Sequence, residues 1–409
     1  MKITYIHQYF ATPQSNGGIR SYEMAKRLVE QGHEVNVITT SAFLPSPEKY
    51  SEQWNLDSID GIKLHIYKLP YSNNIPFWKR IIIFLTFCLK STLYARSIKT
   101  DIVFATSTPL TIAIPGVLSA RKNKVPFIFE VRDLWPDVPI ALGILKNPIS
   151  QFLAKSLEKW AYKNASHIIA LSPGMAEGVK KSSANSKVSI IPNASDLELF
   201  SVDDKLGLAY RKKHDWLGDR PLCVYTGTFG KVNNLSYIVN VAKETLSLNP
   251  EVRFALIGTG AQFELLKEKS LDNGTFNKNL FFLPPVPKSE LPQILNAADI
   301  SISTVLPIKE LWHNSANKFF DALAASRPIA INHYGWQADL IENQQVGLVM
   351  PPDSPKDAAI ALNSYLSDRS KMQQLQRNSL ELAQNEFSRD LLFEKFSQVI
   401  EVQLSNQLR

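Results

Sequence analysis

Asn314-Ser315-Ala316-Asn317-Lys318-Phe319-Phe320-Asp321-Ala322-Leu323-Ala324-Ala325-Ser326-Arg327-Pro328-Ile329 reads as a polar loop, an amphipathic helix, a break and the start of a buried strand. Phe319, Phe320, Leu323 and Ala324 recur at helical spacing and form one apolar face. Asn314 and Ser315 are residue types that cap a helix N-terminus. A helix that opens at such a loop offers backbone N–H groups and the positive end of its dipole to an anion. Lys318 adds a mobile cation in the first turn, and Asp321 follows three residues later on a neighbouring face. A cation beside a helix N-terminus suits a diphosphate. A carboxylate just beyond suits sugar hydroxyls. The segment therefore predicts one unit of an α/β fold with a nucleotide-sugar site at its loop.

Working outward, the same alternation fills nearly the whole chain. Apolar runs predict strands at Ile3–Ile6, Val35–Thr39, Leu64–Tyr67, Ile102–Ala105, Phe127–Val131, His167–Ala170 and Val188–Ile191. Helical patterns separate them at Ile19–Glu30, Pro76–Ser97, Leu110–Arg121, Pro148–Lys163 and Gly174–Lys180. A polar stretch, Asp203–Arg220, marks the best boundary. A second series then gives strands at Leu222–Thr226, Arg253–Ile257, Leu280–Leu283, Ile300–Ser303, Ile329–Ile331 and Gly347–Val349. Its helices are expected at Leu235–Ser247, Gln262–Ser270, Glu290–Ala297, Asn317–Ala325, Gln337–Glu342 and Lys356–Leu366, and the tail Phe387–Leu408 is helical by pattern. Near-continuous apolar strands alternating with helices predict parallel sheets covered on both faces. The expectation is two doubly wound domains, 1–202 and 203–386, facing a cleft, with 387–409 as a helix packed across their junction. Ligands in such folds sit beyond the carboxyl ends of the strands.

Composition narrows the function classes. The chain has 409 residues, 44% hydrophobic and 20% charged, as a globular protein with full cores requires. Cys88 and Cys223 stand far apart in apolar runs and read as buried free thiols, and no cluster has zinc spacing. Met1–Ile6 reads as a strand and not as a signal peptide, so a cytoplasmic setting is expected. The net charge of +7 fits a partner that carries phosphate or an anionic membrane surface. Nucleic acid is not the expected partner, because no recognised motif with interleaved aromatics occurs. The most hydrophobic segment runs from Trp78 to Lys90. Its uncharged core, Ile81–Leu89, falls short of the roughly 20 residues that span a bilayer. Residues 77–99 carry Lys79, Arg80, Lys90, Arg96 and Lys99 around that core. They fit either an interfacial helix on an anionic leaflet or a helix packed on a sheet with its charges at the rim.

Four loops that follow strands carry candidate chemistry. Ser15-Asn16-Gly17-Gly18-Ile19-Arg20 lets backbone approach a ligand at a helix start, but lacks the third glycine and later acid of a dinucleotide fingerprint. In Tyr225-Thr226-Gly227-Thr228-Phe229-Gly230-Lys231, the backbone with Thr228 and Lys231 could meet phosphate oxygens. The loop has no Walker ending, which argues against ATP hydrolysis. Ile257-Gly258-Thr259-Gly260 is a third case, equally readable as a helix entry. Phe129-Glu130-Val131-Arg132-Asp133-Leu134-Trp135-Pro136-Asp137 ends a buried strand in charges, which are costly unless paired or used. Arg132 could grip phosphate or sugar oxygens and Asp133 could orient a hydroxyl. The alternative is an Arg–Asp pair that closes the core.

As an ordered set, these motifs resemble the retaining GT-B glycosyltransferases of family four. They are Gly17-Gly18, Gly32-His33-Glu34-Val35, Glu130 to Pro136, Ser172-Pro173-Gly174, Ile191-Pro192-Asn193-Ala194, Gly227, Gly258-Thr259-Gly260, Ala297-Ala298-Asp299 and Asn317-Lys318-Phe319-Phe320-Asp321 with Pro328. The nearest likeness is to the bacterial branch that builds O-antigen and capsule, including N-acetyl-L-fucosamine transferases.

The resemblance implies two Rossmann-like domains, an acceptor side in 1–202 and a UDP-sugar side in 203–386. It implies transfer of an N-acetylated or 6-deoxy hexosamine to a polyprenyl-diphosphate-linked saccharide, in the cytoplasm at the inner face of the plasma membrane. No metal and no cofactor are expected. The family pattern ends in Glu, seven residues, Glu. Asp321 matches the second, which usually contacts the ribose, and His313 stands where the first would touch the donor sugar. Asn314, Ser315, Ala316 and Asn317 would present backbone amides to the sugar and diphosphate. Thr228 replaces the usual Arg and Asn233 the usual Lys. Phosphate charge then falls to Lys318 with Lys231, and Arg132-Asp133 replaces the His-Asp of many relatives. The expected site is thus Lys318, Arg132 and Asp133 for chemistry. Donor binding is expected from Gly17, Gly18, Gly227, Thr228, Lys231, Gly258, His313 to Asn317, and Asp321. A nucleotide-sugar 2-epimerase of the same fold, or a transferase-like partner subunit without activity, are the alternatives.

Overall fold

In the computed structural model, residues 1–15, 17–71 and 75–407 are described. Asn16 of the first glycine loop and Leu408 at the end of the expected terminal helix lie outside them. The chain forms two compact units. One comprises Met1–Pro192, His313–Ser315 and Asp390–Arg409, and the other Asn193–Trp312 and Ala316–Arg389.

The first unit is built on eight strands: β1 (Lys2–Ile6), β2 (Glu34–Thr40), β3 (Trp54–Ile59), β4 (Ile62–Tyr67), β5 (Ile102–Thr106), β6 (Phe127–Val131), β7 (His167–Ala170) and β8 (Val188–Ile190). Their order is β3-β4-β2-β1-β5-β6-β7-β8. The chain moves outward from β1 through β2, then returns to β5 on the other side. The order therefore reverses between β1 and β5, where a doubly wound sheet opens its ligand crevice. Strand β1 pairs parallel with both neighbours, Ile3 lying opposite Val35 on one side and Ile102 on the other. Central strands such as β5 and β6 are buried along their whole length, which explains their unbroken apolar sequence.

The edge differs from a purely parallel sheet. Strand β3 pairs antiparallel with β4, through a turn in which Asp60 and Gly61 both adopt left-handed backbone. Asp-Gly between two β-patterned runs is the strongest short hairpin signal, and it was present at Asp60-Gly61.

The second unit has six strands: β9 (Leu222–Thr226), β10 (Arg253–Ile257), β11 (Leu280–Leu283), β12 (Ile300–Ser303), β13 (Ile329–Ile331) and β14 (Gly347–Val349). All pair in parallel in the order β11-β10-β9-β12-β13-β14, so this sheet reverses between β9 and β12. The stretch Asp203–Arg220, expected as linker, holds a helix at Asp204–Lys212 whose N-terminus the Asp203 carboxylate caps. A further helix, Arg369–Asn385, packs by Met372, Leu375, Leu382 and Ala383. The terminal helix runs Arg389–Gln407.

Candidate functional site

The reversal point of the second sheet brings three loops together. Gly227 N donates to Ile257 O at 3.0 Å, Phe229 N to Thr259 O at 2.8 Å, and Gly258 N to Leu283 O at 3.0 Å. The loops after β9, β10 and β11 are thus laced edge to edge, and only glycine fits where they touch. Gly258 has φ +147°, and a Cβ there would overlap the Gly227 carbonyl. Gly227 itself has φ +141°.

The helix Asn317–Ala324 follows β12 and meets these loops. A Cβ on Gly227 would lie 3.4 Å from Lys318 Cε and 3.5 Å from Lys318 Nζ, so that cation stands directly over the glycine loop. Lys318 Nζ also sits 4.8 Å from the ring centre of Tyr225, the penultimate residue of β9. Burial pushes the Lys318 ammonium down to about 8, with the Asp321 carboxylate opposing the shift. A partly desolvated cation without a close carboxylate is primed to gain from an incoming anion. Tyr225 and Asn233 brace the loop from below: the Thr228 carbonyl accepts from Tyr225 Oη at 3.0 Å and from Asn233 Nδ2 at 2.7 Å. The sequence reading passed over Tyr225, because a tyrosine in an apolar strand looks like core.

The expected helix cap is corrected. Ala316, not Asn314 or Ser315, occupies the N-cap position, and its methyl cannot cap the helix. The 3-10 turn Lys309–His313 delays the helix, so Asn314 and Ser315 precede its N-cap position.

Asp321 is buried and forms an ion pair with Lys288 at 3.4 Å. Burial raises its carboxyl above the ordinary range, and Lys288 and Arg389 pull it back. Lys288 opens the turn Lys288–Glu290 after β11, a region the sequence reading did not weigh. Beside it lies a cavity of about 260 Å³, lined by Tyr210, His214, Ile257, Leu283, Val286 and Ile294 among others. Thr228 and Lys231 are exposed on the β9 loop.

In the first unit the reversal point carries polar and charged side chains beside the Gly17-Gly18 loop that follows β1. His7 follows β1 and is buried. Burial, aided by the Arg132 guanidinium, holds its imidazole well below the usual range and therefore neutral. Arg132 and Asp133 follow β6. Arg132 N donates to Ser107 Oγ at 2.9 Å, and Asp133 is open to solvent and accepts from Thr108 Oγ1 at 3.0 Å. The third charge of this strand end is structural. Glu130 is buried, accepts from Arg20 Nε at 2.9 Å and from Thr106 Oγ1 at 2.6 Å. Arg20 also donates to the carbonyls of Ile191 and Pro192 at 2.9 and 2.5 Å. Gly17 has φ +155°, with space for no more than the Ala11 methyl beside it, and Gly18 follows just before the helix Arg20–Glu30.

His313, Asn314 and Ser315 are counted with the first unit, although their neighbours belong to the second. Ser172 Oγ donates to the His313 carbonyl at 2.7 Å and accepts from Met175 N at 3.1 Å, so it caps the helix Pro173–Ser182 as well. A Cβ on Gly174 would overlap the His313 ring. The Ser172-Pro173-Gly174 motif thus seats His313. The structure gathers Gly227, Thr228, Gly258, Asn317, Lys318 and Asp321 in one unit. It places Arg132, Asp133, Gly17, Gly18 and His313 to Ser315 in the other.

Residues 17–199 match the family model Glycosyltransferase Family 4, and residues 208–381 match Glycosyl transferases group 1. Over 301 residues the chain is 25% identical to WcaI of Escherichia coli (strain K12), a protein named as a glycosyl transferase of colanic acid biosynthesis. That alignment covers 69% of this chain and 72% of WcaI. Sucrose-phosphate synthase from Thermosynechococcus elongatus superposes with a TM-score of 0.78 at 15% identity, over 99% of both chains. Anabaena HepE, solved with UDP and glucose, gives 0.72 at 15% identity over 98% of this chain and 100% of that one. These two likenesses show a shared fold.

Proposed function

The chain belongs to the GT-B glycosyltransferases of family four, and we propose that it moves a sugar from a UDP-linked donor to a lipid-linked saccharide with retention at the anomeric carbon. The observation that carries this reading is Lys318 held over Gly227 and the Tyr225 ring at the reversal point of the second sheet. Backbone amides and one desolvated cation are what a diphosphate leaving group requires. The solved complex of HepE with UDP and glucose, of the same fold, supports a UDP donor. The likeness to WcaI supports polysaccharide assembly, and an N-acetylated or 6-deoxy hexosamine on UDP is the donor we would test first.

Breaking the sugar–phosphate bond builds negative charge on the diphosphate and positive character on the ring. Lys318 and the first-turn amides of the helix Asn317–Ala324 stabilise the first. Asp321, oriented by Lys288, holds the ribose, and the cavity beside Val286 takes the base. Arg132, Asp133 and His313 address the sugar and acceptor. The departing phosphate accepts the acceptor's proton, so no side chain is assigned as general base. With Lys318 as the neutralising charge, turnover is expected to survive chelation of divalent metal.

A polyprenyl carrier would bring the enzyme to a membrane surface. No helix among the described residues is long and apolar enough to cross a membrane. The helix Phe77–Ala95 instead exposes Trp78, Ile82, Leu85, Leu89 and Leu93 at one-per-turn spacing, with Lys79 and Lys90 alongside. We assign that stripe to the leaflet. The deciding experiment is a screen of nucleotide sugars for binding and slow hydrolysis. UDP-sugar binding that is lost in Lys318→Ala supports the assignment. Undiminished binding and turnover in that variant would defeat it. Conversion of a UDP-sugar without acceptor would instead favour an epimerase.

A further inference from the structure

The helix Pro148–Asn164 exposes a second apolar surface that the transfer chemistry does not use. Ile149 and Phe152 are each 70% exposed and Leu153 60%, at positions i, i+3 and i+4 of one helix face. The opposite face is core, through Glu158, Ala161 and Tyr162. The helix start is firmly built: Asn147 Oδ1 accepts from Ile149 N at 2.8 Å, and Gln151 Nε2 donates to Leu145 O at 2.8 Å. These apolar side chains are therefore presented by an ordered element. Contiguous exposed apolar surface of this kind marks a contact with a partner or a membrane.

Its place in the fold says which. The helices Phe77–Ala95 and Pro148–Asn164 both pack on the helix Ala113–Asn123 and on the turn Leu110–Ile112 that precedes it. They therefore cover the same face of the first sheet. Each begins after a strand of the parallel set, so their N-terminal turns lie toward the same edge, the carboxyl edge. Trp78, Ile82 and Leu85 come from one helix there, and Ile149, Phe152 and Leu153 from the other.

Glu158 of the second helix is buried, and the other charges on the two helices are all basic. Residues 61–100 contain no Asp or Glu, and neither do residues 138–157. Within them stand Lys79, Arg80, Lys90, Lys146 and Lys155. Beside the first turns of the helix Phe77–Ala95 lies an apolar cavity of about 410 Å³, lined by Pro70, Tyr71, Ile75, Ile82 and Ile83, with Lys79 also on its wall. A hydrocarbon chain matches such a lining, and an anionic head matches Lys79.

We propose that the helix Pro148–Asn164 is the second leg of a bilayer-contact surface. Its occupant is the hydrocarbon of an anionic leaflet, with one chain entering the cavity at Ile82 and Ile83. This rests on the membrane reading given to the Trp78 helix, and adds to it a separate element and a chain site. Two legs fix the orientation of the first sheet's carboxyl edge on the membrane, which a single helix free to roll does not.

Co-sedimentation with vesicles tests it, using phosphatidylcholine alone and phosphatidylcholine mixed with phosphatidylglycerol. The full chain is expected to bind only the mixed vesicles. The variant Ile149→Ser, Phe152→Ser, Leu153→Ser should bind them about tenfold or more weakly. Its melting temperature and its affinity for UDP should be unchanged, because these side chains carry no core contacts. Ile83→Trp, which fills the cavity, should weaken binding to a smaller degree. If the triple variant binds like the parent while Trp78→Ser with Leu85→Ser loses binding, the proposal fails and the single-helix reading survives. If both sets bind like the parent, the membrane reading falls as well. If the parent forms a concentration-dependent dimer that the triple variant lacks, the surface is a contact between copies and the proposal is overturned.

Discussion

The two sheets reverse their strand order in the same way and furnish their reversal points differently. In the second unit the carboxyl ends of β9 and β10 are glycines, laced by backbone hydrogen bonds, under a single lysine. In the first unit buried His7 and the Gly17-Gly18 loop follow β1, and the end of β6 carries Arg132, whose backbone N–H meets Ser107, and Asp133, which accepts from Thr108. Bare backbone with one cation suits an anion of fixed shape. A mixed set of side chains suits neutral hydroxyls, whose positions vary between sugars. On the proposed reading one architecture would serve two kinds of recognition, with the difference in a handful of residues beyond the strand ends.

The sharpest way to break this comparison is to remove what each unit cannot do without. In the first unit that is the buried pair of Arg20 and Glu130. Glu130→Ala leaves the guanidinium buried with only carbonyl partners. It should cost about 3–5 kcal/mol of stability, read by urea unfolding. In the second unit it is Lys318. Lys318→Ala should lower turnover by about 10²–10³-fold at an unchanged melting temperature. If Glu130→Ala were stable, or Lys318→Ala active, the division into a scaffold charge and a working charge would be wrong.

Gly258→Ala addresses the close approach itself. The new methyl would run into the Gly227 carbonyl at a backbone angle that L-residues rarely adopt. About 1–3 kcal/mol of destabilisation is expected, with UDP affinity falling along with it. Asp133→Asn should be milder. It keeps the Thr108 contact and removes only charge, so about tenfold in turnover is expected, with UDP affinity unchanged. A loss of UDP affinity in Asp133→Asn would erase the contrast between the two reversal points.

The central strands could be read from the sequence because a strand buried on both faces leaves an unbroken apolar run, as in Phe127–Val131. The edge strand Trp54–Ile59 alternates and is half exposed, so its pattern faded, and only Asp60-Gly61 announced it. The helix Arg369–Asn385 is polar around most of its circumference and hid its five buried positions. At the site, Gly227, Gly258 and Lys318 were legible because special backbone and a loop cation leave local marks. Tyr225 beneath Lys318 and Lys288 beside Asp321 were not. Those pairs join residues from separate strands and loops, and nothing in either local segment names its partner.

The smallest expected effect turns on Lys318, the cation of the second reversal point that burial brings into a mild range. Burial brings Lys318 down to about 8 in the free protein. A bound diphosphate favours the ammonium and raises that value, so binding takes up a proton once the pH exceeds about 8. Below about pH 7 the lysine is charged in both states, and affinity is flat from this group. As pH rises through 8 the free protein loses its proton first, and UDP affinity should fall by about tenfold between pH 7 and 9. Calorimetry in two buffers of different ionisation enthalpy measures the uptake directly. Lys318→Arg keeps its charge throughout and should flatten the profile. A flat profile in the parent chain would mean that the ammonium never meets the diphosphate, and the contrast drawn between the glycine-lined and the side-chain-lined sheet would lose its chemical basis.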